Sequence, residues 1–371
     1  MQPLQQLALS VLDRFDVWGT LTAIRPFGDG HINDTFCVET DRAHKLGRYI
    51  LQRLSPVAFK HPDQVMENVV NVTNYLHDII RERGGDPDRA SLTLIPLKDN
   101  RGWFTLDEEG GCWRVYLLIS DSMSYQLPES ESIFREAGRA FGQFQSQLND
   151  YPAHTLHETI PHFHDTVSRV ETFKAAIARN ASGRLEQVRS EVDFALAWSV
   201  RAGALVDQLA DGRLPMRVTH NDTKLNNVLL DKTTNKALCV IDLDTVMPGL
   251  AAYDFGDAIR FGANTAAEDE QDLSKVHFSL PMFRAYAEGY LAEAGSMLSE
   301  AEVASLATGS MMMTFECGMR FLTDYIDGDV YFHTAYAEHN LVRARCQFAL
   351  LREMQENEEA MLDILMQCWK K

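Results

Sequence analysis

The chain has 371 residues, 45% of them hydrophobic, and a formal charge of −18 at neutral pH. That length allows a sizeable core divided over two or three units, and the acidic balance argues against nucleic acid as a general partner. No run of 18 apolar residues occurs, so no membrane span is expected, and the six scattered cysteines form no Cys-x-x-Cys pair, which reads as free thiols of a reducing cytoplasm.

The first 19 residues lack a basic leader and carry Asp13 and Asp16, so they read as an amphipathic helix. Residues 19–54 supply three strand-like runs. Between the first two, FGDGHINDTF predicts a glycine-bearing turn. Gly28 and Gly30 there would let backbone N–H groups approach phosphates. His31, at its tip, could contact a phosphate or the acceptor molecule. A helix is predicted over 63–81 from the spacing of Val65, Met66, Val69, Val72, Leu76 and Ile80. Short strands are expected near Leu92–Leu94, Trp103–Leu106 and Cys112–Ile119. From residue 131 the pattern is helical, with one stripe of Phe134, Ala137, Phe141, Phe144 and Leu148. Further long helices are expected over 184–210, 275–294, 300–326 and 334–368. A β-rich front and a helical back predict an α+β chain in two lobes, with the bend near Leu118–Ser124.

The strongest chemical signal is HNDTKLNN at 220–227, followed by ALCVIDLD ending in Asp244. It has the form His-x-Asp-x4-Asn, then an apolar strand ending in Asp242. In kinase-type phosphotransferases the Asp of such a loop accepts the proton of the attacking hydroxyl, and the Asn and strand-end Asp hold Mg²⁺. Here those are Asp222, Asn227 and Asp242. Val228–Leu230 and Leu238–Ile241, joined by DKTTNK, predict a buried hairpin that sets Asn227 and Asp242 at adjacent strand ends. Asp244 would share a face with Asp242 by strand alternation and add a second carboxylate.

HNDTKLNN, VIDLDTVMPG and YDFGDAIRFG together resemble the aminoglycoside phosphotransferase and choline kinase superfamily. GDGHINDTF, YILQRLSPVAF, VMENVVNVTNYL and GMRFLTDYIDGDVYF are similar to stretches of a narrower group, the N-acetylhexosamine 1-kinases, over about residues 20–340. The resemblance implies a bilobal protein-kinase-like fold. Residues 1–120 would form a nucleotide-binding lobe, and residues 121–371 a catalytic and substrate-binding lobe. It implies ATP and Mg²⁺ as cofactors and an N-acetylhexosamine as the sugar acceptor, phosphorylated to the 1-phosphate; the alternative is a kinase of the same superfamily acting on choline, an aminoglycoside or homoserine. No nucleic-acid or membrane partner is expected, and the protein would be a cytoplasmic monomer or small homo-oligomer. Asp222 would be the base for an anomeric hydroxyl, with Lys224 facing the γ-phosphate. Asp254 and Asp257 would brace the loop. The usual third-strand Lys is missing. Gln52 stands in its place, and either Gln52 binds phosphate without charge or Arg53, one residue on, does so. Glu67 would pair with Arg53 or another cation. Leu118 falls in the adenine-binding junction, and Trp113 and Arg114 are candidates for lining the cleft. Arg320 and Asp324, four apart on a helix, form either a salt bridge or part of a sugar site with Tyr331.

Overall fold

The computed structural model describes residues 3–28, 33–56 and 58–370; Gly30 and His31 lie outside them. Helix α1 (Pro3–Leu12) precedes three antiparallel strands, β1 (Thr20–Pro26), β2 (Asp34–Arg42) and β3 (Lys45–Arg53). Helix α2 (Pro62–Glu82) begins where Pro62 fixes the first turn, and it buries the predicted apolar stripe from Val65 to Ile80. A short α3 (Pro87–Ala90), capped by Asp86, leads to β4 (Phe104–Leu106) and β5 (Cys112–Leu117). The five strands form one sheet in the order β1-β2-β3-β5-β4. The run at Leu92–Leu94 is not a strand; only Leu94 bridges, to Tyr116. In the β3–β5 register Gln52 faces Arg114 and Arg53 faces Trp113.

After Leu117 the chain passes through Leu118–Asp121 into β6 (Ser122–Met123). Helix α4 (Glu131–Gln147) follows with its stripe buried. Next come α5 (Thr166–Arg179), α6 (Arg189–Trp198) and α7 (Val206–Ala210). Helix α5 was not anticipated, because its buried face is only Thr166, Val170, Phe173 and Ala176, a weak apolar stripe. The long helix expected over 184–210 is instead broken by tight 3₁₀ turns at Leu185–Val188 and Ser199–Arg201. At the second, Ser199 Oγ bonds back to Leu196 O, and Gly203 follows close behind.

Strand β7 (Arg217–Thr219) opens the candidate catalytic region, followed by the antiparallel pair β8 (Val228–Asp231) and β9 (Ala237–Val240), then β10 (Met247–Gly249) and α8 (Ala251–Gly262). The final helices are α9 (Leu280–Ala294), α10 (Glu300–Asp327), α11 (His339–Glu356) and α12 (Glu358–Trp369). The helix expected over 334–368 is therefore two, parting at Asn357. Helix α10 starts at a reciprocal Ser299–Glu302 capping box and runs buried through the helical lobe, including Met311–Met313.

The architecture is α+β, with a sheet in the N-terminal region and helices in the C-terminal one. The largest apolar core fills the helical lobe, and a second lies under α2. That second core includes Phe144, Leu148, Val218, Leu243 and Val246, so it ties α2 to the candidate catalytic segment. Asn68 of α2 makes the same junction with polar groups. Its Nδ2 donates to Val246 O and His157 O, and its Oδ1 accepts from His157 N, each at 2.9 Å. All six cysteines are unpaired. Among the described residues no helix is long and apolar enough to cross a membrane.

Candidate active site

The loop after β7 is held from behind by α8. Asp254 accepts from the backbone N–H groups of His220 and Asn221, both at 2.8 Å, and its own carbonyl accepts from Thr223 Oγ1 at 2.6 Å. Asp257 accepts from Thr223 N at 3.0 Å and is paired with Arg260 at 2.8 Å. Burial alone would raise the Asp257 carboxyl, but Arg260 and Lys224 hold it below the ordinary range. Burial raises the Asp254 carboxyl to about 6 against those two N–H groups. His220 is fully buried between Phe141 and Phe144, its Nε2 2.9 Å from Ile241 O. Asn221 takes a left-handed φ of 64°, which turns the next residue outward into the cleft.

That residue is Asp222. Lys224 Nζ lies 2.8 Å from its Oδ1, and Asn227 Nδ2 donates to its Oδ2 at 3.1 Å and to its carbonyl at 2.8 Å. The Asp222 carboxylate, ahead of a smaller opposing cost of burial, raises the Lys224 pKa and keeps the ammonium charged. Ile241 N donates to Asn227 O at 2.9 Å, continuing the β8–β9 ladder. Asn227 and Asp242 therefore stand at neighbouring hairpin ends, as the sequence pattern implies. Neither Asn227 Oδ1 nor the Asp242 carboxylate has a hydrogen-bond donor or ion-pair partner among the described residues.

Asp242 has a left-handed φ of 61° and caps a tight turn over Leu243–Thr245. The strand ends at Val240, so Asp242 and Asp244 are not related by strand alternation. Asp242 is open to the cleft but ringed by protein. Poor solvation, with Asp244 and Asp222 nearby, raises its carboxyl to about 7 despite Arg114 and Lys224. Asp244 is buried and occupied. Arg114 Nη1 is 2.5 Å from its Oδ1, and Asn33 Nδ2 donates to its Oδ2 at 2.7 Å.

Two hard oxygen donors without partners, Asn227 Oδ1 and Asp242, fit Mg²⁺, which takes few protein ligands and completes its shell with phosphates and water. When bound, such an ion would neutralise phosphate charge.

The front lobe sorts the remaining candidates by face. Gly28 has φ of +79°, a conformation that suits glycine, and nothing lies near its missing Cβ. Gln52 turns toward the cleft and accepts from Arg114 Nε and Nη2 at 3.0 and 2.6 Å, while its Nε2 donates to Thr35. Arg53 turns the other way. It pairs with buried Asp107 at 3.0 Å and with Glu109 at 3.2 Å, over the Trp113 ring, so it is not placed at the cleft. Trp113, fully buried beside Phe36, shares that other face. Glu67 pairs with His157 at 2.8 Å and not with Arg53. Leu118 donates its N–H to Arg48 O at 3.0 Å at the lobe junction.

In the helical lobe Arg320 and Asp324 do not pair. The Asp324 carboxylate is consumed in a loop: it accepts from the N–H groups of Val330, Tyr331 and Phe332 and from Asn340 Nδ2, all at 2.8–2.9 Å. It fixes the segment that carries Tyr331. Arg320 lies 5.5–5.8 Å from the Phe163, Tyr331 and Phe332 ring centres and has no ion pair among the described residues. Tyr331 is 69% exposed. Beside this platform His164 Nδ1 meets Glu316 at 2.9 Å, and His164 and Arg320 keep that buried carboxyl below its ordinary range despite desolvation. Phe163 and His164 lie outside every motif, and Asn33 and Arg260 fall inside FGDGHINDTF and YDFGDAIRFG without a role legible there. Long-range packing gives them their partners: Asn33 meets Asp244, His164 meets Glu316 and Arg260 meets Asp257.

A sheet-bearing lobe joined to a helical one, with an Asp–Lys–Asn loop facing Asp242 in the turn after β9, has the form of a protein-kinase-like phosphotransferase. The chain belongs to the APH phosphotransferase enzyme family, whose model matches residues 23–291. Its fold is similar to that of a microcompartment-associated aminopropanol kinase, at 16% identity and a TM-score of 0.56 over 96% of this chain and 98% of that one. It is also similar to a spectinomycin phosphotransferase solved with ADP and spectinomycin, at 12% identity and a TM-score of 0.53 over 97% and 99% of the chains. Choline kinase from Cryptosporidium parvum matches at 14% identity and a TM-score of 0.52 over 94% and 93%. Those identities carry the fold and leave the acceptor to the site itself.

Proposed function

We propose that this phosphotransferase is an ATP- and Mg²⁺-dependent sugar 1-kinase acting on N-acetylhexosamines. Asp222 would orient the anomeric hydroxyl and take its proton as the acceptor oxygen bonds to the γ-phosphorus and the bond to the departing ADP oxygen breaks. Lys224, held charged beside Asp222, would meet γ-phosphate charge as it develops. Asn227 and Asp242 would hold the metal ion, and the Gly28 turn would lie over the phosphates.

The observation that carries the acceptor assignment is Arg320, a guanidinium that makes no ion pair among the described residues, set among three aromatic rings. Such a group donates hydrogen bonds to hydroxyl and carbonyl oxygens, and aromatic faces suit the apolar side of a sugar ring. A quaternary ammonium or a polyamine would instead meet a like charge there, so the platform favours a neutral polyol over choline or an aminoglycoside. The residue matches to N-acetylhexosamine 1-kinases at 316–332 support the same choice.

The test is ATP turnover with Mg²⁺ over N-acetylglucosamine, N-acetylgalactosamine, glucose, choline, homoserine and kanamycin, with ³¹P NMR of each product. An anomeric phosphate from the acetylated sugars is expected. A phosphate ester on choline, homoserine or kanamycin alone would overturn the acceptor and leave the phosphotransferase chemistry standing.

A further inference from the structure

The missing third-strand lysine leaves the cleft face of β3 with an uncharged side chain, Gln52. Its register partner on β5 is Arg114, whose side chain is 1% exposed. Burying a guanidinium is costly unless its hydrogen-bonding groups are taken up. Here both Nε and Nη2 converge on Gln52 Oε1, and the planar group lies 5.0 Å from the Tyr116 ring centre. Nη1 reaches Asp244 Oδ1 at 2.5 Å and Met66 Sδ at 3.8 Å. Of its five N–H bonds, two go to Gln52, one faces Asp244 and one makes a weak contact to sulfur, leaving one Nη2 hydrogen uncommitted among the described residues.

The surroundings point this charge at one place. Arg114 pairs with Asp244, which lies two residues along the chain from Asp242, the carboxylate that fits a metal. Asn33, at the foot of the glycine turn, donates to Asp244 Oδ2 and accepts from Ser55 N at 2.9 Å. Asn33, β3, β5 and the 242–245 turn thus converge on the Arg114–Asp244 pair. Arg53, the neighbouring cation on β3, is committed to Asp107 on the opposite face.

We propose that Arg114, aimed by Gln52, is the fixed positive charge that receives the nucleotide diphosphate, with Asp244 as its counter-ion when no nucleotide is bound. The cation usually carried by the third strand has moved one strand across the sheet, and Gln52 is the brace that makes the move work. A guanidinium suits this position because it can keep Gln52 while offering further N–H groups to a phosphate oxygen. The proposal rests on the kinase reading of the site but not on the identity of the acceptor.

Calorimetric titration of the full chain with ADP and, separately, adenosine tests it without turnover. In the unaltered protein ADP should bind more tightly than adenosine. Arg114→Met should weaken ADP by about 10–100-fold and leave adenosine within about threefold. Adding Gln52→Lys to Arg114→Met returns a cation to β3 and should recover at least about threefold of the loss. Gln52→Leu keeps the cation but removes its brace and Asp244's buried charge stays paired; it should weaken ADP by about 3–10-fold. ADP binding unchanged in a folded Arg114→Met protein, or ADP and adenosine weakened equally, overturns the proposal. If Arg114→Met does not fold, undiminished ADP binding by Gln52→Leu overturns it. Failure of the unaltered protein to bind ADP would remove the nucleotide reading of the whole cleft, a result distinct from any effect confined to the variants.

Discussion

Single residues divide sharply into those whose role follows from local pattern and those placed by distant chain. Asp222, Asn227 and Asp242 belong to the first kind, because a loop and one hairpin fix their relation within 21 residues of sequence. Arg114 belongs to the second. Period-2 alternation correctly sends Arg53 away from Gln52's face, but only the β3–β5 register reveals which cation replaces it. Asp324 shows the opposite error: helical spacing suggests a partner for Arg320, whereas four donors from the following loop and α11 take its carboxylate. Replacing Asp222 with Asn keeps shape and removes proton acceptance. We expect kcat to fall by about 10²–10⁴ while ADP affinity stays within about threefold; an equal fall in affinity would show that Asp222 serves nucleotide binding instead. The raised Asp242 pKa gives a second residue-scale expectation. Between the usual carboxylate value of 3.8 and about 7, the folded metal-free protein holds a proton there that the unfolded chain has lost. Stability of the metal-free protein should therefore decline as pH rises through that window, by way of this group. A divalent cation needs the ionised form, so Mn²⁺ affinity should fall up to about tenfold per unit below about pH 7 and level off above it. Asp242→Asn should remove that slope. A flat profile in the unaltered protein, followed by calorimetry from pH 5.5 to 8.5, would contradict the assignment.

At the scale of elements, strongly amphipathic pieces were legible and weakly patterned ones were not. Helices α2 and α4 announce themselves through apolar stripes, and the β8–β9 hairpin through two apolar runs around a polar turn. Helix α5 and the breaks near Ser199 and Asn357 follow from packing and local hydrogen bonding that no periodicity records. The closeness of helix pairs was also hidden. Helix α8 meets α10 at Gly256 and Gly309: a Cβ on Gly256 would stand 2.3 Å from Gly309 O, and one on Gly309 would stand 2.2 Å from Ala252 O. These are backbone atoms, so the helices themselves must part to admit a methyl group. Because α8 carries Asp254 and Asp257, that parting displaces the braces of the 220–223 loop, the proposed catalytic loop. Gly309→Ala should cost about 1–3 kcal/mol of stability, read as a lowered melting temperature, and also reduce kcat. An unchanged melting temperature would mean the pair has room that the packing does not show.

For the whole molecule, the α+β division and the order of lobes could be read from composition along the chain, because strand-like and helical patterns are segregated. The joining of the lobes could not, since it depends on side chains far apart in sequence. Asn33 and Arg114 from the sheet converge on Asp244, and Asn68 of α2 spans to Val246 and His157. Asn68 is 2% exposed and satisfies three backbone groups of the other lobe at once, so its worth lies in what would be stranded without it. Val246 closes the turn that begins at Asp242, and the neighbouring core residues Leu243 and Val246 pack with α2. Asn68→Leu keeps volume and leaves two carbonyls and one N–H to find water or go unpaired, a cost of about 1–3 kcal/mol for each group that stays buried. The expected result is a lower melting temperature with faster hydrogen exchange confined to residues 157 and 242–247, while α10 and α11 keep their protection. Because the same turn presents Asp242, Mn²⁺ affinity should weaken alongside, although Asn68 touches no proposed ligand. Exchange that rises evenly over the whole chain would show that Asn68 supports global stability alone; rise limited to the junction would show that α2 sets the position of the metal-binding turn.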